Sequence, residues 1–306
     1  MVDVDTFLTT LYVLVDDLCK TLPVARHPGP AAALSRSEVV TLAIFSQWGG
    51  WAGQRAFYRY AVRHLRPAFP HLPHRSQLNR LIRRATPTIT ACSLHLARLL
   101  PRAGGYEVLD TAPLPVRNAK RRGRSWFVGQ ANIGYSLRLG WYYGFHLLTA
   151  VTPQGVLTGW GLAPASAKDQ PMAEVFFALR QQPQPGHECV GTPASGPYLA
   201  DAGFAGRPNH ARWQAAYGAQ VISPPQANDP QPWSAAAHRW LDHRRQIVET
   251  VNDKLLNGFR LKDARLHTLD GLQARLAATA ALHNFCCWLN QQLDRPTLAF
   301  AELVDW

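Results

Sequence analysis

Two aspartates share an unusual setting. In GPYLADAGFAG (196–206) a short apolar run ends in Asp201, followed only by small residues and one Phe. In GYEVLDTAPLPV (105–116) a predicted strand, Tyr106 to Leu109, ends in Asp110 in the same way. In open α/β sheets, ligand sites gather at the carboxyl ends of strands. Two such acids on neighbouring strands could hold a divalent cation. The plainer reading is that strand-end aspartates form turns and cap helices, and for the pair alone it is the commoner case.

A third acid adds weight. In HRRQIVETVNDKL (243–255) an apolar stripe, Ile247, Val248, Val251 and Leu255, recurs at helical spacing. Glu249 lies roughly 120° from the centre of that stripe at about 100° per residue. Arg245 stands one turn before it and Asp253 one turn after. An exposed Arg245–Glu249 pair at i, i+4 is the bland account. The sharper one turns Glu249 towards the sheet to complete a three-carboxylate site. Mg²⁺ prefers oxygen ligands, and two divalent ions can activate the attacking oxygen and stabilise the leaving one in phosphoryl displacement.

The elements that must position these acids follow from pattern. Residues 1–100 read as helical: Phe7, Leu11, Leu14 and Leu18 recur at helical spacing, and Ser35 or Ser37 can cap a helix with Glu38 in its first turn. After Pro101 the order becomes strand, hairpin, helix, strand, helix, strand, helix, which argues for an α/β sheet covered by helices. The strands of the hairpin are GWYYGFHLLTAV and QGVLTGWGLAPA, joined by TPQG. The expected division is a helical, helix-turn-helix-like DNA-binding region over 1–100 and a catalytic domain over 101–306.

Charge points to the partner. The 306-residue chain carries +12, and between residues 20 and 100 twelve Lys and Arg face one acid, Glu38. Arg80, Arg83 and Arg84 fall on one short predicted helix. One-signed charge on small helices suits a helix-turn-helix module holding double-stranded DNA. No run of about 18 apolar residues exists, so no membrane span is expected. Five cysteines without a CxxC, and an N-terminus without a basic leader, suit a cytoplasmic protein.

VLDTAP, YYGFHLLT, ASAKD, YLADAGFAG, RRQIVETVNDKL and ALHNF, in this order and spacing, resemble the catalytic domain of DDE transposases from bacterial insertion sequences. LSRSEVVTLAIF and FPHLPHRSQLNRLIRRA resemble the helical region that precedes it in one such group. The resemblance implies a ribonuclease-H-like mixed sheet flanked by helices, with Asp110, Asp201 and Glu249 as the metal-binding catalytic triad. It implies Mg²⁺ or Mn²⁺, two ions, and two steps: cleavage at the element's terminal inverted repeats, then strand transfer into target DNA. It also implies a homodimer in the synaptic complex, in a bacterial cytoplasm at the nucleoid. Arg245 matches the family's basic residue before the glutamate, and Lys254 lies near a later lysine without matching its commonest spacing. Ala202 stands where a Lys often follows the second aspartate, and His146 and Leu148 replace an expected Lys and His. The alternatives are a catalytically inactive DNA-binding descendant of a transposase, and a metal-dependent nuclease on the same fold.

Asp169 matches a recurrent acid of that family, but helix N-capping explains it with less effort. His146 reads as a satisfied core residue. Cys286 and Cys287 read as buried packing, and His283 with Cys287 lacks a second pair for zinc. Lys120, Arg121, Arg122 and Arg124 fall in a long segment between strand and hairpin, where a functional loop is expected. Neutralising Arg121, Arg122 and Arg124 together is expected to weaken DNA binding and flatten its salt dependence. A plot of log Kd against log salt with an unchanged slope would remove this loop from the interface.

Overall fold

The computed structural model describes residues 1–23, 32–48, 51, 53–101, 104–118, 126–184, 196–226, 228–263 and 266–305. Lys120, Arg121, Arg122 and Arg124 lie outside the described residues. The chain forms two compact units, Met1–Leu99 with Ala264–Trp306, and Leu100–Asp263.

The first unit begins with β1 (Val2–Asp3) and α1 (Val4–Thr21), whose N-cap Asp3 accepts from the Thr6 amide. Phe7, Leu8, Leu11, Val15 and Leu18 form its buried stripe. In α2 (Arg36–Phe45), Ser35 and Glu38 close a reciprocal capping box, satisfying two backbone donors at the helix start. Next come α3 (Gln54–Tyr60), α4 (Arg75–Arg84) and α5 (Thr86–Leu99). On α4, Leu78 and Ile82 are buried, while Arg80, Arg83 and Arg84 are exposed.

The second unit carries the sheet. Its strands and helices in chain order are β2 (Glu107–Asn118), β3 (Asn132–Ser136), β4 (Gly140–Val151), β5 (Leu157–Pro164), α6 (Asp169–Gln181), β6 (Tyr198–Leu199), α7 (Arg207–Tyr217), β7 (Val221–Ile222) and α8 (Ala235–Asp253). The main order is β5-β4-β2-β6-β7, with β3 pairing the first part of β4. The pairs among β2, β4 and β5 are antiparallel, and β6 and β7 add in parallel. This mixed sheet with helices on it is ribonuclease-H-like. The expected hairpin is present as β4 and β5. Leu109, Leu148, Phe176, Phe177 and Trp213 anchor the core between the sheet, α6 and α7.

The chain returns to the first unit with α9 (Leu269–Gln292) and β8 (Val304–Asp305), which pairs in parallel with β1. Residues 264–306, grouped with 101–263 by sequence, thus pack with the N-terminal helices. The reason is that α9 is apolar around most of its circumference and needs cover on several sides. Asn284 on α9 donates to the Ser93 carbonyl of α5 at 3.0 Å.

Two expectations about strands change. Asp110 does not end a strand; it is the fourth residue of β2, which continues to Asn118. Pro113 and Pro115 fit there because β6 pairs only Glu107 and Val108, so beyond them β2 has an open side needing no donor. The edge strand β3 falls inside what sequence reads as a long loop.

One buried ion pair ties the sheet together. Arg180 of α6 bonds Glu107 of β2, and also donates to Tyr198 Oη at 2.9 Å and to Thr158 Oγ1 at 3.0 Å. Glu107→Gln leaves the Arg180 charge buried without its anion. The expected loss is about 3 kcal/mol of unfolding free energy in urea titration; a loss below about 1 kcal/mol would mean the pair contributes little.

Candidate active site

Register brings two of the acids together. Val108 of β2 lies beside Leu199 of β6, and two residues further along the parallel strands stand Asp110 and Asp201. β6 stops at Leu199, and the chain turns into a 3₁₀ helix, Ala202–Phe204. Asp201 caps that turn by accepting from the Gly203 amide at 2.9 Å. The short strand leaves a notch beside β2, and both carboxylates face it.

α8 supplies the rest. It buries Leu241, Val248, Val251 and Asn252, while Ile247 is only half-buried, so the packed stripe is turned slightly from the one read in sequence. Arg245, Glu249 and Asn252, at i, i+4 and i+7, flank that stripe on one side. Arg245 does not make the pair with Glu249 that the blander reading of the helix gave it. Its Nη2 lies 3.1 Å from Asp110 Oδ1 and 3.7 Å from Asp201 Oδ2, bridging the two acids. Its Nε is buried without a partner among the described residues. Glu249 is exposed and makes no hydrogen bond or ion pair among the described residues, yet its charge acts on Asp110.

The electrostatics are those of a site short of positive charge. Burial pushes the Asp110 carboxyl up to about 7; Arg245 opposes this, while the charges of Asp201 and Glu249 add to it. One guanidinium does not offset burial plus two neighbouring anions. Asp110 Oδ2 takes a second hydrogen bond from Asn252 Nδ2 at 3.1 Å.

The residues fit a divalent cation in donor type. Three carboxylates supply hard oxygen atoms, and two of them already share a positive group at the notch. As they stand, no group of three His, Cys, Asp or Glu among the described residues is close enough to hold a metal ion. Arg245 occupies the space between the two aspartates.

Asp169 is closer to this site than its sequence setting implies. Lys168, not Asp169, is the N-cap of α6, and it makes no side-chain cap bond. Asp169 instead accepts from Thr111 Oγ1 at 2.7 Å, next to Asp110 in β2. Its other oxygen crowds Gly203: a Cβ there would collide with Asp169 Oδ2 and lie 2.9 Å from Asp201 Oδ1. Glycine at 203 therefore lets two carboxylates flank the same turn. In sequence, the only sign is the run of small residues after Asp201.

The remaining candidates separate clearly. His146 Nδ1 lies 3.0 Å from the Ala167 carbonyl, as a satisfied structural residue. Cys286 and Cys287 are buried, with Cys287 Sγ 3.6 Å from His283 Nε2. Lys254 begins a π-helical segment that continues α8, nine residues past Arg245; at about 100° per residue it faces the opposite side of the helix. Sequence reading missed Asn252 and Thr149. Thr149 is a polar residue within an apolar run, but Asn252 sits among other polar residues, and nothing local marks the pair.

A family model described as the transposase DDE domain matches residues 108–285. No curated protein and no solved structure matches the chain. The matched span contains Asp110, Asp201 and Glu249.

The raised Asp110 sets a direction for stability. Its neutral form is favoured in the folded state, so that contribution is fully present below about pH 4 and is lost as pH rises through about 7. Without added metal, Asp110→Asn should therefore be more stable than the parent above pH 7, on the order of a few kcal/mol. The advantage should vanish towards pH 4. Thermal melts across pH 4–8 measure it, and a constant difference would show that Asp110 titrates at its ordinary value.

Proposed function

The chain belongs to the family of transposases with a DDE domain, and from that premise we propose that it cuts DNA at the ends of an insertion element and joins them to target DNA. The observation that carries this reading is the notch: Asp110 and Asp201 bridged by one guanidinium, with the Glu249 charge acting on the same buried carboxyl. Such a cluster needs more positive charge than the chain provides.

Asp110, Asp201 and Glu249 would hold the metal. Two Mg²⁺ or Mn²⁺ ions would supply activation of the attacking oxygen and neutralise charge at the scissile phosphate. The chain's own groups do the rest. Arg245 keeps the acids gathered until that charge is present, and its planar fork also suits a phosphate. Arg80, Arg83 and Arg84, exposed on α4, offer backbone contacts that fix DNA without reading its sequence. The basic residues of 120–124 would serve likewise. A homodimer would bring two element ends together. No helix among the described residues is long and apolar enough to cross a membrane.

The test uses duplexes carrying the inverted repeats that bound the gene. Asp110→Asn, Asp201→Asn and Glu249→Gln should each reduce cleavage in Mg²⁺ by at least about a thousandfold while leaving DNA affinity within about threefold, by gel shift. Wild-type activity in any one of them would remove that residue from the triad. Joined products, beyond nicks, distinguish a transposase from a nuclease on this fold.

A further inference from the structure

Among the described residues Asp110 has two side-chain donors, and they differ in kind. Arg245 reaches Oδ1 from the rim of the notch, where a cation would compete with it. Asn252 reaches Oδ2 from inside: it is only 5% exposed, and Thr149 behind it is fully buried. Thr149 Oγ1 donates to Asn252 Oδ1 at 2.9 Å. Thr149 is also the residue directly opposite Asp110 in the β2–β4 ladder, so the two side chains share a face of the sheet.

The direction of this chain is fixed by chemistry. An ionised Asp110 only accepts, so Asn252 must present its amide nitrogen. Its carbonyl oxygen then faces Thr149, whose hydroxyl must donate. The relay thus runs Thr149 to Asn252 to Asp110, and each member has one role. A buried amide with both ends matched orients its partner more firmly than a long side chain from the rim does. Leu, Val or Ala at 252 would pack in the same place but leave Asp110 Oδ2 and the Thr149 hydroxyl unpaired.

Resting on the reading of Asp110 as a metal ligand, we propose that Asn252, held by Thr149, is a positioning residue that fixes the Asp110 carboxylate for cation binding. The Thr149–Asn252 pair locks one carboxylate oxygen and leaves the other directed into the notch. Partners of this sort, one bond removed from a metal, typically alter its affinity by about tenfold to a hundredfold.

The experiment is Mn²⁺ titration of the full chain, free Mn²⁺ being read by electron paramagnetic resonance, with folding checked by circular dichroism. Asn252→Ala should weaken Mn²⁺ binding by about tenfold or more, with DNA affinity unchanged. Thr149→Val should weaken it in the same direction, and Thr149→Ser, which keeps the donor, should recover most of the loss. Should Asn252→Ala fail to fold, Thr149→Val and Thr149→Ser decide the matter. Asp110→Asn is the reference. If it abolishes Mn²⁺ binding while folded Asn252→Ala and Thr149→Val bind as tightly as the parent, the positioning role is overturned and the metal site stands. If Asp110→Asn itself leaves Mn²⁺ binding intact, the metal-ligand reading fails and the positioning role falls with it.

Discussion

The candidate site turns on one constraint: a carboxylate, Asp110, is kept in a place that opposes its charge. It lies mostly out of water beside Asp201 and under the influence of Glu249, with Arg245 as its one cationic partner among the described residues. Burial acts against the anion more strongly than the guanidinium favours it. A protein gains nothing in stability from such a cluster: apolar side chains of similar volume would serve the fold at least as well. Its presence at a sheet notch is therefore a sign of function.

The surrounding architecture serves that placement. A long β2 and a β6 of two residues make a step in the sheet, and the step is the notch. Pro113 and Pro115 keep the open side of β2 from recruiting another strand, because neither has a backbone donor. The buried Arg180–Glu107 pair joins the start of β2 to α6, so the step rests on a buried polar network. α8 buries Leu241, Val248 and Val251, and its Arg245 and Asn252 reach Asp110, with Glu249 exposed on the same flank of the helix. One helix thus supplies a removable counter-charge, a free acid and a fixed donor.

Much of this was legible in sequence, for physical reasons that also mark its limits. The three acids stand out in sequence because apparent strand ends and an off-stripe helical position are local features. The β4–β5 hairpin and the Ser35–Glu38 cap were legible for the same reason: apolar runs, TPQG and the S-x-x-E spacing are short-range signals. Asp110 was misplaced on its strand because prolines read as strand breakers, and only pairing shows that one side of β2 is open. The Arg245–Glu249 pair was a sound local expectation, but Asp110, distant in sequence, offered a more buried and stronger partner. Asn252 and Thr149 were invisible because their importance exists only across the sheet–helix contact. Asp169 was read as a cap because Thr111 and Gly203, which define its place, are far away in the chain.

The relation between Arg245 and the acids bears on how such a site can be stable and still react. Without a cation, the charges of Asp201 and Glu249 act against an ionised Asp110. The Arg245 guanidinium limits that repulsion while remaining a poorer partner than a divalent ion, since it delivers one charge over a large planar group. A proton on Asp110 is the other means of relief, favoured by the same burial. On the proposed reading, a proton, the guanidinium and a metal would compete for one anion. The Thr149–Asn252 relay is what keeps that anion in place while they exchange, because its bond lies on the oxygen away from the rim and needs no change when the rim partner does.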